Sequence, residues 1–215
     1  MKLEFPGITV EQDENAVILN SQLPLHTLSS SVVGGGFGQV QTIMNRYVSK
    51  NYNCDDPAAD LKAFAQARGI QGEFVGLLTA VLMRKARCIS VVEDDLLVSV
   101  VITAGVRNAT AAGISSPYTM GAGTINVIIL IDGNLVPGAM VNAVKTTTEA
   151  ESAVLIERNV RTPEGFLATG TSTDAIVIAC TGHGTPLEYA GPVTRVGYLI
   201  GRSVRECLSV ALDAE

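Results

Sequence analysis

The chain has no tryptophan and few other aromatics, five Phe and five Tyr among 215 residues. It therefore carries no platform for stacking nucleic-acid bases. Charge is scarce as well. Asp, Glu, Lys and Arg make up 17% of the residues, where about a quarter is usual. The balance is acidic, with a formal net charge of -6. Basic residues cluster no further than Arg84-Lys85-Ala86-Arg87. Neither nucleic acid nor an anionic membrane surface is the expected partner of such a chain. A surface so poor in charge leaves room for self-association into a homo-oligomer.

Other absences narrow the chemistry. The four cysteines, Cys54, Cys88, Cys180 and Cys207, show no CxxC spacing, so they read as free thiols, three of them in the core. His26 and His183 stand far apart, and no metal-ligand set is visible, so neither a metal nor a cofactor is expected. The motif GxxxxGK[ST] is missing, and Gly34-Gly35-Gly36-Phe37-Gly38-Gln39 lacks the last glycine of GxGxxG. The first fifteen residues contain no apolar signal segment. The longest apolar stretch, Leu96 to Val106, is interrupted by Ser99 and Thr103 and is too short to span a bilayer. A cytoplasmic location follows as the expectation.

What is present is a large apolar fraction, 47%, enough for one sizeable core. With no linker or low-complexity run, residues 1–215 read as a single domain. Residues 7–12 and 16–20 suggest a hairpin across Asp13-Glu14, and residues 25–33 a third strand. Beyond Gly38, the spacing of Val40, Ile43, Met44, Tyr47 and Val48 predicts a helix. Residues 54–69 form a well-punctuated helix, with Asp55 or Asp56 as cap, Pro57 in the first turn and Gly69 as stop. Residues 73–82 fit a buried strand or a short helix. Residues 86–105 read as a hairpin with Glu93-Asp94-Asp95 at its tip, and residues 123–133 as a buried strand. A long helix is predicted over 138–158, a loop and strand over 168–180, and a last helix from about Arg195. Its glycines Gly197 and Gly201, four apart, suit close helix packing. The fold class is α/β with α+β character, a mixed sheet with antiparallel hairpins flanked by helices.

Four loops share a composition, Gly or Ala with Thr, Ser, Asn or Asp beside a strand: residues 29–38, 103–113, 121–126 and 169–175. Any one of them is an ordinary turn candidate. Together they supply backbone N–H groups open to a ligand and short, rigid hydroxyls and amides. They point to one polar pocket at strand ends, with substrate-binding candidates Gly35, Gly36, Thr103, Gly105, Thr124, Asn126, Thr169, Thr171 and Thr173. The 138–158 helix adds a polar stripe through Asn142, Thr146 and Glu149, alongside three consecutive threonines that are weak helix formers. The competing reading of that stripe is a solvated face. Asp174 and Glu149 are the acid–base candidates, with Asn108 as a donor for a developing oxyanion. His183 is a further base candidate, set against the plain reading of an exposed loop residue. Thr124 after Gly123 admits a self-processing reading, set against an ordinary strand start.

The ordered blocks of residues 28–36, 75–81, 103–109, 123–132, 138–155, 167–179 and 189–204 resemble the adenosylcobinamide amidohydrolase family of cobalamin salvage enzymes. The resemblance covers most of the chain from about residue 25. It implies hydrolysis of the amide that joins the corrin propionate side chain to aminopropanol, giving adenosylcobyric acid and 1-amino-2-propanol. Two positions depart from the family pattern. Ser172 stands where a glycine is usual, and Glu151 where a lysine is common. A non-catalytic corrinoid-binding protein, or an amidase for another corrinoid, is the competing reading.

Overall fold

The computed structural model describes residues 1–117 and 124–214. Its frame is an eight-stranded mixed sheet. Strands β1 (Ile8–Gln12), β2 (Ala16–Ser29) and β3 (Gly36–Tyr47) form an antiparallel meander. Helix α1 (Pro57–Ala67) crosses over to β4 (Val75–Thr79), which lies parallel to β3. After one 3-10 turn at Met83–Lys85 come the hairpin strands β5 (Arg87–Glu93) and β6 (Leu96–Ala104), followed by the short β7 (Ala109–Thr110). Strand β8 (Ile125–Asp132) runs antiparallel to β6. The short β9 (Asn134–Leu135) and helix α2 (Pro137–Glu157) lead through β10 (Gly170–Thr171) into β11 (Ala175–Cys180), parallel to β8. The short β12 (Pro186–Leu187) and helix α3 (Arg195–Asp213) complete the chain. The strand order is β4-β3-β2-β11-β8-β6-β5, with β1 on β2. Late β11 is thus inserted between the early strand β2 and β8.

Alternating side chains split the sheet between two faces. On one face, Val127, Ile129 and Ile131 of β8 and Val98, Val100 and Ile102 of β6 pack under α2 and α3. Helix α3 meets them with Val196, Leu199, Ile200, Val204, Cys207, Leu208 and Ala211, a helical stripe. Each fully buried aliphatic of that kind contributes roughly 1.5–3 kcal/mol. On the other face, Ile128, Leu130 and Val101 share one core with Ile43 and Leu77 of the distant strands β3 and β4. The sheet therefore curls over on itself and needs no helix there. A third cluster under α1 joins Leu61 and Ala65 to Ile18 and Met44.

Two expectations are corrected. Residues 16–29 are one long strand, not two. Residues 36–47 are strand, not helix. A register shift between Asn20 and Leu25 of β2 breaks the alternation in its partner β3. Val40 and Ile43 consequently face the same core at a spacing of three, which imitates helical periodicity. Cys180 and Cys207 are buried, Cys88 is partly buried against the core, and all four cysteines are free. The caps follow the sequence: Asp56 accepts from Ala59 N at 2.9 Å, and Thr194 accepts from Gly197 N at 3.1 Å. A Cβ on Gly197 would lie 1.9 Å from the Gly191 carbonyl oxygen, so backbone passes backbone there. No described helix is long and apolar enough to cross a membrane.

Candidate active site

Strands β8 and β11 begin at the same end of the sheet, and described parts of the polar loops, residues 29–30, 105–112, 124–126 and 169–175, meet there. Short pairing of β7 with β10 ties residues 109–110 to 170–171. The Asn108 amide donates to Ser172 Oγ at 2.7 Å. Ser30 N donates to the Ile176 carbonyl at 3.0 Å, and Ile176 N to Ser30 Oγ at 3.0 Å. Gly105 N donates to the Thr124 carbonyl at 3.0 Å. Residues 118–123, which include Gly121 and Gly123 of one loop, lie outside the described residues.

Asp174 stands at the centre. Ile125 N donates to its Oδ1 at 2.8 Å, and the backbone N–H and hydroxyl of Thr171 also donate to its carboxylate. These donors fix the side chain at the mouth of β11. Across from it, Glu151 of α2 is 3% exposed and hydrogen-bonded to Asp174. Burial, reinforced by the negative charge of Asp174 and by that hydrogen bond, pushes the Glu151 carboxyl up to about 9. Gly170 makes the pairing possible. A Cβ there would sit 2.8 Å from Asp174 Oδ2 and 3.7 Å from Glu151 Oε1. The pair lines a groove of about 370 Å³ between α2 and the ends of β2 and β11, together with Ser29, Ser30, Thr148 and Thr169. Leu28, Val141, Val144 and Ile176 supply its apolar walls.

The sequence candidates divide. Asp174 and Thr169 line the groove, while Asn108, Thr171 and Thr173 belong to the loop framework around it. Glu149 does not face the groove. It is exposed and pairs with Lys145 at 3.4 Å. Thr146 is buried with its hydroxyl on the Ala190 carbonyl at 2.8 Å, and Asn142 is half-buried on the same helix. Thr103 and Asn126 enter an internal network. Asn45 donates to Thr103 Oγ1 at 2.9 Å, and Asn126 donates to Asn45 Oδ1 at 2.8 Å and to the Leu78 carbonyl at 2.9 Å. The Thr124 hydroxyl lies within hydrogen-bonding distance of Asn126 Oδ1 at 3.1 Å and of the Thr173 carbonyl at 2.8 Å. Gly35 lines a separate hollow of about 550 Å³ beside α1, and Gly36 takes a positive φ of 86° where β3 starts. His183 lies at the opposite end of the β8–β11 pair, its Nδ1 3.1 Å from Asp132 Oδ1. Among the described residues no cluster of three His, Cys, Asp or Glu side chains could hold a metal.

From the sequence, Glu151 stands out only as a departure from the family pattern and not as an acid–base candidate, although its signal is present. The buried residues Ala143, Thr147, Ala150 and Val154 set the phase of α2, and position 151 falls on that face while 149 falls off it.

A mixed sheet with parallel crossovers and a carboxyl pair between a strand end and a flanking helix fits an α/β hydrolytic enzyme. The fold resembles the crystal structure of a Pyrococcus horikoshii OT3 protein, with a TM-score of 0.52 at 12% identity, covering 97% of this chain and 79% of that one. The model of the adenosylcobinamide amidohydrolase family matches residues 4–215. An adenosylcobinamide amidohydrolase of Methanosarcina mazei is 32% identical over 193 residues, 86% of this chain and 88% of its own. A Halobacterium salinarum protein of the same name is 33% identical over 124 residues, 54% of this chain and 51% of its own. The chain belongs to the adenosylcobinamide amidohydrolase family, whose members are amide-cleaving hydrolases.

Proposed function

We propose that this chain hydrolyses the amide linking the corrin propionate arm to aminopropanol in adenosylcobinamide, releasing adenosylcobyric acid and 1-amino-2-propanol. The observation that carries the reading is the Asp174–Glu151 carboxyl pair in a groove whose other lining residues are uncharged, four hydroxyl side chains beside four aliphatic ones. Amide hydrolysis needs a group that takes a proton from water and returns one to the leaving nitrogen. At about 370 Å³ the groove has room for an amide-bearing arm, and the macrocycle stays at its mouth. Hydroxyls and backbone groups suit a substrate rimmed with uncharged amides. Asn108 acts through Ser172 as a positioning residue for the 169–174 loop, and the reaction runs in the cytoplasm.

Purified protein incubated with adenosylcobinamide, followed by chromatography with mass detection, tests this directly. Adenosylcobyric acid and aminopropanol in equal amounts are the expected products. Saturable binding with no product would replace the hydrolase by a corrinoid-binding protein. Turnover of a different corrinoid alone would move the substrate and keep the chemistry.

A further inference from the structure

We infer that Glu151 and Asp174 work as a dyad holding one proton between them, with Glu151 the member that exchanges the proton with a bound substrate. The catalytic use of the pair rests on the amide-hydrolysis reading above; the shared proton does not.

The geometry divides the labour. A carboxylate offers about four acceptor positions. Ile125 N, Thr171 N and the Thr171 hydroxyl use three on Asp174, and Glu151 uses the fourth. Asp174 is left with no position for a water molecule. Glu151 has no bonding partner among the described residues other than Asp174, and it lines the groove. Two adjoining carboxyl groups cannot both ionise cheaply when one of them, Glu151, is buried. Among the described residues no Lys, Arg or His lines the groove to offset them. The nearest charges on α2, Lys145 and Glu149, pair with each other on its exposed side. The end of β2 and the residue after it present Leu28, Ser29 and Ser30, all uncharged. One proton between the two groups is the state this surrounding favours.

The reaction then balances. Water attacks the amide carbon and gives a proton to Glu151, whose own proton shifts across the hydrogen bond to Asp174, so that each carboxyl briefly holds one. The C–O bond forms and the carbonyl π pair moves to oxygen. Glu151 then donates one proton to the amide nitrogen, the C–N bond breaks, and the pair returns to one proton. The new acid gives its remaining proton to the released amine, so the products leave as carboxylate and ammonium. Asp174 is the positioning member, because its negative charge keeps the proton on Glu151.

Glu151→Gln is the decisive variant. Its amide N–H still donates to Asp174, so packing and the hydrogen bond survive while the exchangeable proton does not. With adenosylcobinamide, kcat is expected to fall about 10²–10⁴-fold, with KM within about threefold. Wild-type kcat should decline on the alkaline side near 9, and the residual activity of the variant should show no such limb. Infrared difference spectra of the substrate-free protein at neutral pH should show a protonated-carboxyl band that is missing in Glu151→Gln. A variant with kcat within threefold of wild type overturns Glu151 as the member that exchanges the proton with substrate. So does a wild type without the protonated band, whatever its activity. A wild type with the band but no turnover of any corrinoid amide overturns the hydrolysis reading and the catalytic use of the pair, and leaves the shared proton standing.

Discussion

Each end of the parallel β8–β11 pair presents an aspartate that accepts a threonine hydroxyl. At one end Asp132 takes the hydroxyl of Thr181 at 2.8 Å and faces His183 at 3.1 Å. At the other Asp174 takes the hydroxyl of Thr171 and faces Glu151. The strand of six residues between them spans roughly 20 Å. The side chains differ in their surroundings far more than in their type. His183 is 63% exposed, so water screens that pair and gives it little energy. Glu151 is 3% exposed and faces a like charge with no cation beside it. Its proton affinity is therefore set by the fold. An Asp with a His neighbour looks more like chemistry in a sequence, but burial reverses that order.

The contrast can be broken most forcefully at Asp174. Asp174→Ala removes the acceptor of three donors, so activity should vanish. Stability should fall by about 2–4 kcal/mol from the unsatisfied groups, read by urea unfolding. A stable variant would mean that the loop does not depend on this carboxylate.

The second prediction concerns pH. Glu151 titrates near 9 when folded and near 4.5 when unfolded. The folded chain therefore holds the proton more tightly. The stability this gives is fully present below about 4.5 and is lost as pH rises through about 9. Glu151→Gln has no such dependence. Its stability relative to wild type should grow by up to about 1.4 kcal/mol per pH unit across that window. A difference that stays flat with pH would show that Glu151 is already ionised.

Asn108→Ala, which loosens Ser172 without touching the pair, should lower kcat about tenfold and leave the pH profile in place. The smallest effects belong to the other end. Asp132→Asn and His183→Ala should each leave kcat within twofold and stability within about 0.5–1 kcal/mol. A large loss of activity in either would move the chemistry to that end.

Much of this was legible in the residues. Pro57, Asp56 and Gly69 delimit α1 on local grounds, and the polar loops announced their cluster by composition. The rest depended on relations between distant segments. The bulged register of β2 disguised β3 as a helix, because periodicity reports a face only while pairing stays regular. Glu149 drew notice over Glu151 because a helix carries both, and only the phase of its buried side separates them. The burial of Asn126 and Thr103 followed from the curl of the sheet, which brings β3 over β6 and β8, a contact that no local pattern records.

That internal amide cluster has a consequence for assembly. Asn45, Thr103 and Asn126 satisfy one another only when the three strands β3, β6 and β8 meet in a single alignment. Sliding any of them by one residue turns its amide or hydroxyl to the opposite face and strands the remaining partners in hydrocarbon. The cluster acts as an error check on pairing: apolar residues reward many near-matches almost equally, and these three reward one.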